Sequence, residues 1–189
     1  MLPSSKLLGE EVQGASPINT ATRGLTQQAQ RDGLHVLELF EGVGLGVLRT
    51  ALAVGYSIRC CTYVDRDVTS RKMAKTVLQQ LQLLYPDQLP DVAVKAFDKR
   101  LSQSISLCNA LFLGNLVTRH GLVDLLGGNW ECQSVSRAGK QTGAMDPRFQ
   151  YFYDLVRIIN FFQREQAAPM IYILENTYPG DVGIGCIFA

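Results

Sequence analysis

Four short segments of this chain hold residue types whose spacing could do chemistry. Phe40-Glu41-Gly42-Val43-Gly44-Leu45-Gly46 is a glycine-rich turn. Its glycines let the backbone bend sharply and approach a ligand, and a helix N-terminus behind such a turn favours an anionic or polar group. Val47 occupies the last position of a would-be G-x-G-x-x-G, so the spacing is not that of a dinucleotide fingerprint. Asp65 closes an aromatic and β-branched run, where a carboxylate can accept hydrogen bonds from the ribose hydroxyls of a nucleoside. Asp98 follows a third apolar run and could meet an adenine amine.

The third segment is Gly127-Gly128-Asn129-Trp130-Glu131-Cys132-Gln133, followed by the polar run Ser134-Val135-Ser136-Arg137-Ala138-Gly139-Lys140. A lone cysteine is usually a buried, inert thiol. Cys132 instead follows a glycine turn, and Arg137, Lys140 and Arg148 could favour its thiolate and touch phosphates. A loop cysteine in cationic surroundings is a candidate nucleophile. The fourth segment is Glu175-Asn176, which ends the apolar run Ile171-Tyr172-Ile173-Leu174, so that its carboxyl could exchange hydrogen bonds with a base. The plainer readings are a tight turn without a ligand, a solvated loop carboxylate at Asp65 and a surface cap at Glu175.

The elements that must position these residues alternate between strand and helix. Strands are expected at His35–Phe40, Tyr56–Val64, Val92–Phe97, Leu122–Leu126 and Met170–Leu174. Helices are expected from Leu45 to Ala53, over Thr69–Leu84 with Met73, Val77, Leu81 and Leu84 near one face, over Leu101–Leu116, and over Pro147–Gln163. The last carries Phe152, Leu155, Val156, Ile159 and Phe162 as its apolar stripe. Apolar strands alternating with helices predict an α/β fold, a doubly wound and mostly parallel sheet covered on both faces. Ligands sit beyond the carboxyl ends of such strands, and all four segments fall there. Residues 1–33 show no sustained period and read as a flexible extension, with a short helix around Leu25–Gln30.

Bulk properties narrow the field. The chain has 189 residues, 47% hydrophobic and 19% charged, with a net charge of +1 that makes no case by itself for a phosphate-rich partner. Five cysteines with no C-x-x-C pair, and only His35 and His120 to join them, argue against a metal site and suggest free thiols in a reducing compartment. No apolar run is long enough for a membrane span, so a soluble intracellular protein is expected, nuclear in a eukaryote.

Taken in order, these segments resemble the C5-cytosine DNA methyltransferases from about Leu34 to Thr177. Phe40-Glu41-Gly42 resembles the family's cofactor loop, and the single glycine at position 46 is closest to its de novo eukaryotic branch. Asp124-Leu125-Leu126-Gly127-Gly128 through Cys132-Gln133 resembles the nucleophile motif. Gly139-Lys140-Gln141, Gly143, Asp146, Arg148, Phe152, Asp154 and Arg157-Ile158 continue in register, and Glu175-Asn176-Thr177 resembles the Glu-Asn-Val motif.

The resemblance implies a class I methyltransferase sheet with S-adenosylmethionine held by Phe40, Glu41, Gly42, Gly44, Asp65 and Asp98. It also implies a flipped DNA cytosine as substrate, with Gln133, Ser136, Arg137 and Asn176 around it, Cys132 attacking C6, and Glu175 holding N3 and the exocyclic amine. Two departures modify the expectation. Glu131 stands where the family has proline, with a one-residue insertion at Trp130-Glu131, and its carboxylate disfavours an adjacent thiolate. The family's later Arg-bearing motif and target-recognition region have no counterpart before Ala189. Residues 34–189 are therefore expected to be a partial catalytic domain, in a truncated form or one that takes recognition from a partner subunit. The alternatives are a non-catalytic methyltransferase-like binding or regulatory module and a tRNA cytosine-5 methyltransferase.

Overall fold

The computed structural model describes residues 27–39, 44–91, 93, 108–130 and 146–175. Within them the order is α1 (Gln27–Asp32), β1 (Leu34–Leu39), α2 (Gly46–Ala53), β2 (Ile58–Val64), α3 (Val68–Leu84), α4 (Ala110–His120), β3 (Leu125–Asn129), a 3-10 turn (Pro147–Phe149), α5 (Gln150–Glu165) and β4 (Ile171–Glu175). The four strands form one sheet in the order β2-β1-β3-β4, and every neighbouring pair is parallel. Parallel strands need crossover helices, and those helices cover both faces of β1, while Tyr172 and Ile173 on the two faces of the edge strand β4 stay exposed.

Strand alternation divides the core in two. Leu34 and Val36 of β1 join Ala29 of α1, Val47, Leu48, Ala51 and Leu52 of α2, and Ala74, Leu78 and Leu81 of α3 on one face. Leu37 and Leu39 join Leu113 and Leu116 of α4 and Leu155, Ile158, Ile159 and Phe162 of α5 on the other. The doubly wound α/β architecture expected from the sequence is therefore present. The short helix expected near Leu25–Gln30 is α1, and its Ala29 belongs to the first cluster.

Several boundaries differ from expectation for physical reasons. The buried stripe of α3 is Ala74, Leu78 and Leu81, while Met73 and Leu84 are 46% and 71% exposed. Ala74 and Leu78 face the sheet where Met73 and Val77 were expected, a shift of one residue over the first turns, while Leu81 is buried as expected. Of the helix expected over Leu101–Leu116, residues 101–107 lie outside the described residues; α4 starts at Ala110, where the Asn109 side chain accepts from the Phe112 N–H and caps it, and it continues to His120. Asp91 and Ala93 are helical, with the Ala93 N–H donating to the Pro90 carbonyl, so no strand starts there. Apart from Ala93, the strand expected at Val92–Phe97 lies outside the described residues.

The third strand corrects the reading of the glycines. Gly127 and Gly128 lie inside β3, which runs on to Asn129, and do not form a turn after it. A Cβ on Gly127 would lie 2.7 Å from Val47 Cγ2 and 2.9 Å from Glu38 Oε2. On the opposite face, a Cβ on Gly128 would lie 2.8 Å from Leu155 Cδ1. At Gly127 the branched Val47 and the buried Glu38 carboxylate leave no room for a side chain, whereas at Gly128 the crowding comes from the flexible end of Leu155.

The amino ends of the strands are closed by a buried polar network. The β1–β2 register shifts between Leu34 and His35, so Arg59 has no register partner on β1 and its side chain reaches out instead. Its guanidinium donates to the carbonyls of His120 and Leu122 and, at 2.8 Å, to Asp124. The same Asp124 oxygen accepts the His35 backbone N–H at 2.9 Å. The His35 ring lies between the Gly121 carbonyl and the Thr62 hydroxyl. A carbonyl can only accept, so Nδ1 carries the proton and Nε2 accepts from Thr62. Burial and then the neighbouring Arg59 charge push the His35 pKa down to about 3. Asp124 binds the main chain of His35 and not its ring, so the pair is structural.

Candidate active site

The register brings the carboxyl ends of the four strands abreast. Leu39 pairs with Val64 and with Gly128, and Gly128 pairs with Leu174. One residue further on, Asp65, Asn129 and Glu175 stand on the same edge of the sheet. The four segments singled out in the sequence leave the fold here.

Asp65 is only 7% exposed, which removes the plain reading of a solvated loop carboxylate. Tyr63 donates its hydroxyl to Oδ2 at 3.0 Å, and the Asp67 N–H donates to Oδ1 at 2.8 Å. A carboxylate offers about four lone-pair sites, so acceptor capacity remains for a further donor. The loop behind it is tied down. Asp67 caps α3 by accepting from the Ser70 N–H, and this hydrogen bond holds its carboxyl below the usual range. Arg71 donates to the carbonyls of Asp65 and Arg66. Arg66 in turn donates to the Tyr151 hydroxyl at 2.6 Å and stacks over that ring, linking the loop to the first turn of α5.

Asn129 and Glu175, register partners on β3 and β4, are joined by a 2.8 Å hydrogen bond from Asn129 Nδ2 to Glu175 Oε2. Asn129 Oδ1 accepts the Trp130 N–H at 2.6 Å. The Trp130 ring meets Phe152 edge-on at 5.1 Å, so the chain leaving β3 is anchored on α5 before it reaches Glu131. Neither Asn129 nor Trp130 stood out in the sequence as a positioning residue. An asparagine at a strand end facing an acidic strand end is legible only once the strands are paired.

At the glycine loop, Gly44 is half-buried and Leu45 precedes α2 in the left-handed region, at φ 46° and ψ 50°. Its side chain is fully buried. This conformation costs a branched residue about 1–2 kcal/mol, and the packing of the side chain into the first core cluster opposes that cost. The first turn of α2 is not open to an external anion in the way the sequence suggested. Glu38, fully buried in β1, already accepts the Leu48 N–H at 2.7 Å. Arg148, expected to favour a thiolate, folds back on Asp146 through 2.9 Å and 2.6 Å hydrogen bonds.

Phe40, Glu41, Gly42, Asp98, Cys132, Gln133, Ser136, Arg137 and Asn176 lie outside the described residues, so Gly44, Asp65 and Glu175 are the expected site residues that can be located. Among the described residues Cys60, Cys61 and Cys108 are buried and in no disulfide, and burial pushes the Cys61 thiol well up, with the Glu38 charge second. No group of three or more His, Cys, Asp or Glu residues there could hold a metal, and no helix there is long and apolar enough to cross a membrane.

Residues 103–178 match the family model of the C-5 cytosine-specific DNA methylases. The similarity to that family is carried by this stretch of the chain. The methylase match takes in α4, β3, α5 and β4, hence Asn129 and Glu175 together with the segment that contains Cys132. Its parallel sheet flanked by helices is consistent with a class I methyltransferase-like fold, and the match supports a DNA cytosine methyltransferase in general. No curated protein matches the chain.

Proposed function

We propose that the chain transfers a methyl group from S-adenosylmethionine to C5 of a cytosine flipped out of DNA, through a covalent adduct with Cys132. The observation that carries this reading is the edge formed by Asp65, Asn129 and Glu175, since it lies where α/β sheets bind ligands and adjoins the methylase-matching segment.

S-adenosylmethionine fits the described residues. Asp65 is a largely buried carboxylate with spare acceptor capacity for ribose hydroxyls, and the Gly44–Leu45 end of the loop that follows the adjoining strand β1 leads into α2. When bound, this cofactor supplies an electrophilic methyl group. A stacked cytosine keeps its ring atoms out of reach, so the base must leave the helix. The Cys132 thiolate adds to C6 and makes C5 nucleophilic. Glu175, oriented by Asn129, holds N3 and the exocyclic amine and offsets charge that develops on the ring. The cofactor that Asp65 and the Gly44 end of the loop would hold would supply the methyl group to C5, its departing sulfur keeping the bonding electron pair. The C5 proton then passes to a base, the C6–S bond breaks, and the thiolate is restored.

Oligonucleotides carrying 5-fluorocytosine test this directly, because fluorine at C5 cannot leave as the proton does. With labelled cofactor, a covalent adduct is expected with the native chain and none with Cys132→Ser. No adduct under conditions in which an intact relative reacts would sink catalysis by this chain, and tRNA as acceptor separates an RNA substrate from DNA. Glu131 beside Cys132 favours a second reading, a non-catalytic module that keeps the fold. Cofactor binding without adduct formation is the result that would select it.

A further inference from the structure

Glu38 is an acidic side chain fully buried near the carboxyl end of β1, on the face that carries α2. Its register partner on β3 is Gly127. Its Oε1 accepts the N–H of Leu48, the third residue of α2, at 2.7 Å. Leu45, which precedes the helix, supplies no side-chain cap of its own. The carboxylate therefore reaches up from the sheet and meets the helix end that a capping residue would otherwise serve. Gly127 provides the space, since a Cβ there would come within 2.9 Å of Glu38 Oε2 and 2.7 Å of Val47 Cγ2.

We infer that Glu38 is a positioning residue of the cofactor site. Its carboxylate fastens the first turn of α2 to β1, and this fixes the left-handed Leu45 and the end of the glycine loop that Leu45 closes. The inference rests on the reading that this loop holds S-adenosylmethionine. A hydrogen bond to a charged group is worth about 1.5–3 kcal/mol. Where loop order depends on such a bond, its loss is read as about a tenfold or larger loss of affinity.

Calorimetry with S-adenosylmethionine on the full chain tests this, with amide hydrogen exchange as the second measurement. Glu38→Leu removes the acceptor and is expected to weaken binding about tenfold or more. It should also speed exchange at Leu48 while exchange in α3 and α4 stays at native rates. Glu38→Gln keeps an acceptor oxygen and is expected to bind within about threefold of native, the rescue that a merely space-filling role would not produce. Gly127→Ala pushes the carboxylate aside and should weaken binding in the same direction as Glu38→Leu, which keeps the test open if Glu38→Leu does not fold. Native binding by Glu38→Leu or by Gly127→Ala, or equal losses in Glu38→Leu and Glu38→Gln, would overturn the role of Glu38 and leave the methyltransferase reading standing. A native chain that takes up no S-adenosylmethionine would overturn the cofactor reading, and with it the role of Glu38 in that site. Slow exchange at Leu48 would then report only the anchor.

Discussion

Asn129 and Glu175 stand opposite each other at the ends of adjacent parallel strands, and the asparagine amide donates to the carboxylate at 2.8 Å. The bond fixes which way Glu175 presents its remaining lone pairs. Asn129→Ala should leave S-adenosylmethionine affinity unchanged and slow methyl transfer to cytosine about tenfold, the scale of one hydrogen bond to a charged group. Transfer of labelled methyl to DNA measures this, and native turnover in the variant would show that the bond does not serve the reaction.

Asp65→Ala should weaken S-adenosylmethionine binding at least about tenfold, because hydrogen bonds to a carboxylate are worth about 1.5–3 kcal/mol each. Tyr63→Phe removes one orienting donor and should have a smaller effect in the same direction. Titration calorimetry checks both. Equal binding by all three proteins would move the nucleoside away from the end of β2.

Adding a methyl group to either β3 glycine should destabilise the fold by about 1–3 kcal/mol, the usual cost of overpacking. Gly127→Ala should cost more than Gly128→Ala. The first meets a branched valine and a buried carboxylate, whereas the second meets the far end of Leu155, which can turn aside. Urea unfolding of the two variants gives the order directly, and the reverse order would contradict the packing described.

Stability should fall as pH drops below 6.5. His35 has a folded pKa of about 3 and an unfolded value of 6.5, so the unfolded chain binds the proton that the folded chain refuses. Unfolding therefore takes up a proton between these values, and stability present above pH 6.5 is lost as pH falls through that window. From pH 6.5 to 5 this one group accounts for about 1.6 kcal/mol at 1.36 kcal/mol per unit, since the unfolded ring is already half protonated at pH 6.5. Urea unfolding midpoints at the two pH values measure the slope, which His35→Gln should flatten.

Arg59→Met should destabilise the chain by about 3–5 kcal/mol, since it leaves the buried Asp124 carboxylate without its cation. Replacing Arg59 and Asp124 together by apolar residues should cost less than the single change. A double-mutant cycle in urea decides this.

The fold was readable where local pattern and tertiary demand agree. β1 is buried at every position and α5 carries its apolar stripe at helical spacing, so both elements could be expected from the residues alone. The site was readable in part, because Asp65 and Glu175 each terminate an apolar run and parallel strands must end on one edge. What could not be read depends on partners distant in the chain. Glu38 looks like an interruption of an apolar strand until Gly127 stands beside it and Leu48 above it. The two β3 glycines look like a turn because glycine marks both bends and close approaches, and only the positions of Val47 and Leu155 decide between them. Ala74, too small to register as part of a stripe, faces the sheet in place of Met73.

Gly127 and Gly128 are consecutive residues pressed from opposite sides, one by α2 and the next by α5. At that point the three-layer sandwich is pinched to a single bare peptide unit. The strand contributes no side chain there, so Val47 of the helix behind the glycine loop and Leu155 of the helix on which Trp130 rests bear directly on its main chain. A displacement of either helix therefore reaches, through one valine or one leucine, the same strand that ends in Asn129, so both sides of the candidate site bear on two neighbouring residues.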